Sequence, residues 1–362
     1  MKRIIYHLPF EINKKRFSAS QIRPIKILEA FEKAGFEVDV IEGSGNKRKL
    51  MIHKVKHNIR VGIKYDFLYS ESSTMPTLLT EKHHLPLHPF LDFSFFSFCK
   101  QNGIKIGLFY RDIYWCFNEF DTSWKSYIAR YFYKYDLFKY KQLVNVLFVP
   151  SIKMLDYLPF NLNLTTYSLP SGLHEKILVK SHCNSQIRIL YVGGIGEHYD
   201  LKMLFKIIGK HEKYNLTVCC RESEWDEVRE EYNEFLNDRI SIVHLSGDDI
   251  VDLYSNADIF CLFMKPDKYW EFAVPYKLFE AIGYGCPILA SKGTWVADFI
   301  QRNDVGFVCE YDENMLFDVL DNLAEKTELL DACIKKIKSV AIENTWEKRV
   351  LYIEQCLKKE YI

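Results

Sequence analysis

The 362-residue sequence has no surplus of charge: 48 Lys and Arg face 48 Asp and Glu. A protein that binds nucleic acid over its whole surface needs extra Lys and Arg to neutralise phosphates, so that class is excluded. Its ten cysteines form no Cys-x-x-Cys pair and show no spacing with histidine that suits zinc. No segment approaches the ~20 apolar residues of a membrane-spanning helix. Residues Met1 to Phe10 run into Glu11 and the Lys14-Lys15-Arg16 cluster before a signal-peptide core can form. These absences predict a cytosolic chain, soluble or peripheral to a membrane. In that setting Cys219, Cys220, Cys261 and Cys309, all in short apolar runs, serve as small buried hydrophobes.

What is present is 48% hydrophobic residues, enough for two ordinary cores, and an uneven distribution of the balanced charge. Residues 1 to 172 hold 25 Lys and Arg against 15 Asp and Glu, leaving 23 against 33 for the remainder. The basic half is also the aromatic one, with 19 Phe, Tyr or Trp among the 51 residues from Phe90 to Tyr140. Such a half suits contact with something anionic or interfacial.

Hydrophobic periodicity alternates strand with helix. Lys2 to His7 reads as a strand, Gln21 to Ala34 as a helix with Ile22, Ile25, Leu28 and Phe31 on one face, and Glu37 to Ile41 as a second strand. Strands follow at Asp66 to Tyr69, Ile104 to Tyr110 and Val146 to Val149, with helices at Leu91 to Asn102 and Trp124 to Leu143 between them. The pattern breaks near Leu169-Pro170-Ser171-Gly172, and a polar stretch runs to Ser185. It resumes with strands at Ile187 to Val192, Leu216 to Cys220, Ile240 to His244, Ile259 to Phe263, Pro287 to Ala290 and Gly306 to Cys309. Alternation of this kind means βαβ units and parallel sheets, hence an α/β fold of two doubly wound domains. Ligands of such sheets bind outside the carboxyl ends of the strands.

The most informative segment runs from Val274 to Ser291. Pro275 suits the start of a helix, whose unpaired N–H groups favour an anion, and Lys277 and Glu280 share one face at that end. The ammonium can meet a diphosphate while the carboxylate accepts from a ribose diol; the plain alternative is a surface ion pair.

The stretch from Pro275 to Ser291 resembles the donor-binding signature of GT-B-fold retaining glycosyltransferases, in which Pro and Lys precede Phe-Glu-Ala and a Gly-x-Pro-Ile strand. Tyr191-Val192-Gly193-Gly194, Tyr254 with Ala257-Asp258-Ile259, and Thr345-Trp346-Glu347 resemble the same family. So does the first βα unit, from Ser18 to Pro24 with Gly35 to Val40. The resemblance implies a GT-B architecture of two Rossmann-like domains facing across a cleft. Residues 1–170 would take the acceptor, residues 171–344 the nucleotide-sugar donor, and helix 345–362 would pack back on the first domain.

Carried over residue by residue, Glu280 would hold the donor ribose, Lys277 would face the diphosphate or sugar, and Gly193 and Gly194 would let the nucleotide approach the backbone. Many members have an Arg where this chain has Gly194 and a Lys near its Asp200. Arg221, just past a strand, is the replacement cation here, or else a surface arginine. Phe272 stands where members often have a second Glu, so Glu271 beside it becomes the candidate contact to the donor sugar; the alternative is that residues 269–272 form an aromatic lid. At the end of the strand near Tyr110, Arg111 replaces a His of the family and Asp112 follows as a candidate catalytic residue, to bind acceptor hydroxyls or orient a neighbour, with a structural ion pair as the alternative. Arg23 and Glu71 point to the same place as acceptor-side candidates.

The function implied is metal-independent transfer of a sugar from a UDP- or GDP-linked donor to a glycan or lipid-linked acceptor, in surface polysaccharide assembly, with no further cofactor. The sequence lacks the Asp-x-Asp motif that holds a divalent cation in the other major glycosyltransferase fold. A nucleotide-sugar epimerase and a non-catalytic sugar-nucleotide or glycan-binding subunit are the rival readings. The helix over 124–141 carries Trp124, Tyr127, Ile128, Tyr131, Tyr135 and Phe138 at helical spacing, flanked by Arg130, Lys134 and Lys141. That stripe suits an anionic membrane surface; packing on its own sheet is the alternative.

Overall fold

The computed structural model describes residues 2–12, 19–117, 124–174, 176, 186–196 and 199–359. Ser18, Cys183 and the polar stretch 177–185 therefore lie outside the described residues. The chain divides into two units, Met1–Ser171 with Trp346–Ile362, and Gly172–Thr345.

In the first unit, β1 (Lys2–His7), α1 (Ala19–Lys33), β2 (Phe36–Ile41), α2 (Gly45–Arg60), β3 (Phe67–Glu71), α3 (Leu91–Gln101), β4 (Ile106–Phe109), α4 (Trp124–Leu143), β5 (Val146–Val149) and β6 (Thr165–Ser168) build one sheet. Its order is β2-β1-β3-β4-β5-β6, and every pairing is parallel. Helices cover both faces, so the central strands bury every residue and read as unbroken apolar runs instead of alternating ones. The chain turns one way from β1 to β2 and the other way from β1 to β3. This reversal puts the carboxyl ends of β1 and β3 at a topological switch point.

The buried face of α1 is Arg23, Ile27, Ala30 and Phe31. Of the expected apolar stripe only Phe31 is buried; Ile22, Ile25 and Leu28 are half-buried. The inward stripe is headed by a charged residue, which a hydrophobicity pattern does not see. The last helix, α12 (Trp346–Lys358), packs on α1 and reaches β4, and its buried residues include Trp346, Val350, Ile353 and Leu357. Close approach is possible because β4 offers Gly107: a Cβ there would stand 3.0 Å from both Leu357 Cδ1 and Phe148 Cε2.

Helix α4 corrects one expectation. Its inward stripe is Tyr133, Asp136, Leu137 and Tyr140, all buried. Of the stripe singled out from the sequence, Trp124, Tyr127, Ile128, Tyr131 and Phe138 are exposed, while Tyr135 is half-buried with its ring centre 5.8 Å from that of Phe93.

The second unit contains β7 (Ile187–Val192), α5 (Lys202–Lys210), β8 (Tyr214–Cys219), α6 (Glu222–Val228), β9 (Ile240–Val243), α7 (Val251–Ser255), β10 (Ile259–Leu262), α8 (Tyr276–Gly283), β11 (Ile288–Ser291), α9 (Trp295–Asn303), β12 (Gly306–Cys309), α10 (Glu313–Glu325) and α11 (Glu328–Glu343). The parallel sheet runs β12-β11-β10-β7-β8-β9, with its switch point between β7 and β10. The alternation along β7 divides the core: Ile187, Ile189 and Tyr191 enter one apolar cluster, Leu190 and Val192 the other. Cys219, Cys220, Cys261 and Cys309 are buried free thiols within these layers. Among the described residues no helix is long and apolar enough to cross a membrane.

Candidate functional site

Each sheet collects polar residues at its carboxyl edge. In the second unit Pro275 is the N-cap of α8 and the helix proper begins at Tyr276, one residue later than the sequence suggests for a first-turn proline. The i, i+3 spacing then brings Lys277 Nζ to within 2.5 Å of Glu280 Oε2. Tyr254 Oη donates to the same oxygen at 2.8 Å. Tyr254 is completely buried and stacks on Tyr284 with ring centroids 4.7 Å apart; burial, reinforced by the Glu280 charge, raises its phenol far above the ordinary value. It is thus a fixed donor that holds Glu280. The sequence placed Tyr254 in a family motif but assigned it no role.

Cys219 connects this pair to the sheet. Its thiol is raised by burial, and it shares one apolar cluster with Leu278 and Phe279 of α8. The Gly193 N–H donates to Cys219 O at 3.0 Å, which draws the turn after β7 to the same edge. A Cβ at Gly193 would stand 2.8 Å from Tyr191 Oη, and that hydroxyl donates to Gly194 O. Glycine is therefore required by close approach at this turn.

Arg221 is the N-cap of α6, two residues past β8, and its exposed guanidinium pairs with Glu224 Oε1. Glu224 Oε2 is buried, makes no hydrogen bond among the described residues, and lies 3.3 Å from where a Gly194 Cβ would be. Glu271 is half-buried in a turn whose aromatic neighbours are anchored: Trp270 and Phe272 are buried, and the Trp270 carbonyl accepts from Trp295 N at 2.9 Å. Residues 269–272 therefore form a turn anchored by two buried rings. A groove of about 770 Å³ along β12 is lined by none of these candidates.

In the first unit three candidates meet. Glu71, at the end of β3 and fully buried, receives Arg23 Nε at 3.2 Å on Oε1 and Arg111 Nη2 at 3.0 Å on Oε2. Tyr69 Oη adds a third bond to Oε1 at 3.1 Å. Arg111 also donates from Nε to Ser72 O at 3.2 Å, and burial lowers its pKa. Asp112 stands apart: its Oδ1 accepts from Ile113 N at 2.7 Å and Tyr114 N at 3.1 Å, capping the short turn after β4. Beside the cluster, Arg349 on α12 donates to Ser171 O at 3.2 Å, and burial, then repulsion from Arg23, pushes it down to about 10. Arg349 lies on no motif, and only its position three residues past Trp346 hinted at it.

A second buried network lies nearby: His7 Nδ1 meets Ser70 Oγ at 2.9 Å, and Asp92 takes His7 Nε2 at 2.8 Å and two bonds from Arg48 at 3.0 Å each. Sequence reasoning missed it, since Arg48 and Asp92 sit in ordinary-looking helix segments. Among the described residues no group of three or more His, Cys, Asp or Glu is arranged to hold a metal ion.

Residues 176–340 match the sequence model of the family described as glycosyl transferases group 1. The whole chain is similar in fold to sucrose-phosphate synthase from Thermosynechococcus elongatus, at 13% identity, TM-score 0.66 and 98% coverage of both chains. It is similar to HepE of Anabaena in complex with UDP, at 12% identity, TM-score 0.67 and 99% coverage of each chain. WaaG, a glycosyltransferase involved in lipopolysaccharide biosynthesis, shares 14% identity and a TM-score of 0.61 over 99% of this chain and 100% of its own. No sequence among the curated proteins matches the chain.

Proposed function

We propose that this chain, whose residues 176–340 match the glycosyl transferases group 1 model, is a GT-B glycosyltransferase that moves a sugar from a UDP-linked donor to a glycan or lipid-linked acceptor with retention of configuration. The observation that carries the reading is the Tyr254–Glu280–Lys277 constellation beside the Gly193 turn. A carboxylate held by a buried phenol suits a ribose diol, and an ammonium next to a helix start suits a diphosphate. The UDP found in the HepE structure supports uridine over guanosine as the base.

Transfer leaves negative charge on the departing diphosphate and positive charge on an oxocarbenium-like sugar. Lys277 and the N–H groups at the start of α8 meet the first, acting by electrostatic preorganisation. Binding the donor exchanges the Lys277–Glu280 contact for one bond to each end of the nucleotide: ammonium to diphosphate, carboxylate to ribose. Arg221 makes the same exchange away from Glu224. Because the sequence lacks an Asp-x-Asp motif, full activity in the presence of a chelator is expected. Glu271 faces the sugar and Asp112 assists the acceptor.

The acceptor side belongs to the first unit, and the outward stripe of α4 supports a lipid-linked acceptor. Its exposed aromatics are flanked by Arg130, Lys134, Lys139 and Lys141, and the one carboxylate of the helix, Asp136, is buried on the opposite side. An acid-free, aromatic and basic face fits the headgroup region of an anionic bilayer at the cytoplasmic side.

The test is purified protein incubated with UDP- and GDP-sugars and a panel of polyprenyl-phosphate and glycan acceptors. Transfer abolished by both Lys277→Ala and Glu280→Gln is expected. Interconversion of donor sugars without an acceptor would point instead to an epimerase, and nucleotide binding with no turnover on any acceptor to a binding subunit.

A further inference from the structure

The Arg23 cluster contains donors that its own residues do not satisfy. Arg23 is 97% buried by its 3% exposure, and only Nε reaches Glu71; Nη1 and Nη2 are buried and make no hydrogen bond among the described residues. Its guanidinium lies 3.6 Å from the centre of the Phe109 ring and 6.0 Å from that of Trp346. Trp346, 1% exposed, has a buried indole N–H that is likewise without a partner. Three buried N–H-bearing atoms in this cluster thus lack an acceptor within hydrogen-bonding distance, and every one of them is a donor with no acceptor function. Besides Glu71, the Tyr69 hydroxyl also interacts with the Arg23 guanidinium.

Charge tells the same story. Glu71 is the carboxylate bonded to both Arg23 and Arg111, so two guanidinium groups share one negative charge in a buried setting, and Arg349 adds a third positive group nearby. An uncompensated buried charge with unmade hydrogen bonds is costly, and such a group in a native fold calls for a water, an ion or a ligand. The planar Nη1/Nη2 edge of a guanidinium matches two oxygens of a carboxylate or phosphate.

We propose that the first unit binds an oxyanion, a phosphate group, at the carboxyl edge of its sheet between Arg23 and Trp346, with Arg111, at 11% side-chain exposure, on the side of entry. Naming the phosphate as part of the sugar acceptor rests on the transfer reading above; the anion site itself does not. Glu71 holds Arg23 by Nε and so presents the opposite edge of the guanidinium to the anion. Trp346 contributes one neutral donor.

The experiment is titration of the full chain with inorganic phosphate and, separately, with glycerol 3-phosphate as a minimal phosphate monoester, at constant ionic strength set by chloride. The indole ¹H–¹⁵N signal of Trp346, assigned by its loss in Trp346→Phe, is expected to shift saturably with either probe and not with chloride. Arg23→Met weakens binding by about tenfold or more, as expected when charge-assisted hydrogen bonds are lost. Should Arg23→Met not fold, calorimetry on Trp346→Phe carries the test, because that change keeps a ring and removes only the N–H; affinity falls about threefold. Tighter binding of the ester assigns the phosphate to a phosphorylated acceptor, and tighter binding of inorganic phosphate assigns it to the free ion. No saturable shift, or affinity unchanged in both variants, overturns the proposal. Sugar transfer that persists without phosphate binding overturns this site alone, whereas phosphate binding with no transfer to any acceptor overturns only the reading in the previous subsection.

Discussion

At Glu280 both the Lys277 ammonium and the Tyr254 hydroxyl fall on Oε2, so Oε1 is the oxygen left for the ribose in the proposed donor complex. Tyr254→Phe removes one hydrogen bond without altering packing. The expected result is a donor KM raised by about two- to tenfold with kcat nearly unchanged, read from steady-state kinetics, since the bond contributes about 0.5–1.5 kcal/mol to positioning. Asp136 gives a pH prediction. Burial pushes its carboxyl up to about 7, against the bonds from Thr77 and Tyr140 that lower it. Between about pH 4 and 7 the folded chain holds a proton that the unfolded chain has released, so this group's stabilisation is complete in acid and declines as pH rises through 7. Asp136→Asn mimics the protonated form. Thermal unfolding at pH 5 and pH 8 should show a smaller loss for the variant than for the wild type; an equal loss would refute the assignment. Arg23, at the start of α1, and Glu71 and Arg111, beside strand ends, were read from the sequence as pointing to one place, but their joining through the single Glu71 carboxylate was not legible. It depends on β1, β3 and β4 being neighbours, which no local pattern encodes.

Helix α4 shows how far periodicity reaches at the level of an element. Its limits could be read from the sequence, yet Phe, Tyr and Trp surround it, so composition did not say which stripe faces inward. The structure separates the two by effect. Leu137→Ala, at a fully buried position, should cost about 2–5 kcal/mol in denaturant unfolding. Tyr131→Glu, at a position 71% exposed, should change stability by less than about 0.5 kcal/mol while abolishing sedimentation with anionic vesicles. Two elements left no readable trace. The buried positions of α2 are Gly45, Arg48, Ile52 and Val55, of which two are apolar side chains of useful size, so no amphipathic stripe appears. Its start is fixed instead by Ser44, which accepts from Lys47 N at 3.4 Å. Strand β6, Thr-Thr-Tyr-Ser at the edge of the sheet, is exposed or half-buried throughout and lacks the apolar run of its neighbours. In the other direction, β5 and β7 were legible to the residue, because strands covered on both faces are compact apolar runs bounded by polar turns.

Taken as a whole, the molecule is two sheets of the same construction, and the first is completed by residues from the far end of the chain. Packing at that junction is tight: Gly107→Ala places a methyl 3.0 Å from Leu357 and Phe148 and should destabilise the first unit by about 1–3 kcal/mol, seen as a lowered midpoint in denaturant. Gly107→Ala combined with Leu357→Ala should cost less than the sum of the two single changes, since the second vacates the space the first one needs. The alternation of sheet and helix was evident in the order of residues; the buried donors where α12 packs on α1 were not, because Arg23 and Trp346 are 323 positions apart. The same arrangement has a temporal side. Residues Gly172–Thr345 are made in one stretch and can close their core as soon as they leave the ribosome, whereas the unit begun first waits for Trp346 to Lys358 before its own is sealed. During synthesis the unit that starts first is therefore the one that finishes last, and until then the face of α1 that α12 will cover is open to any chaperone that binds nascent apolar surface.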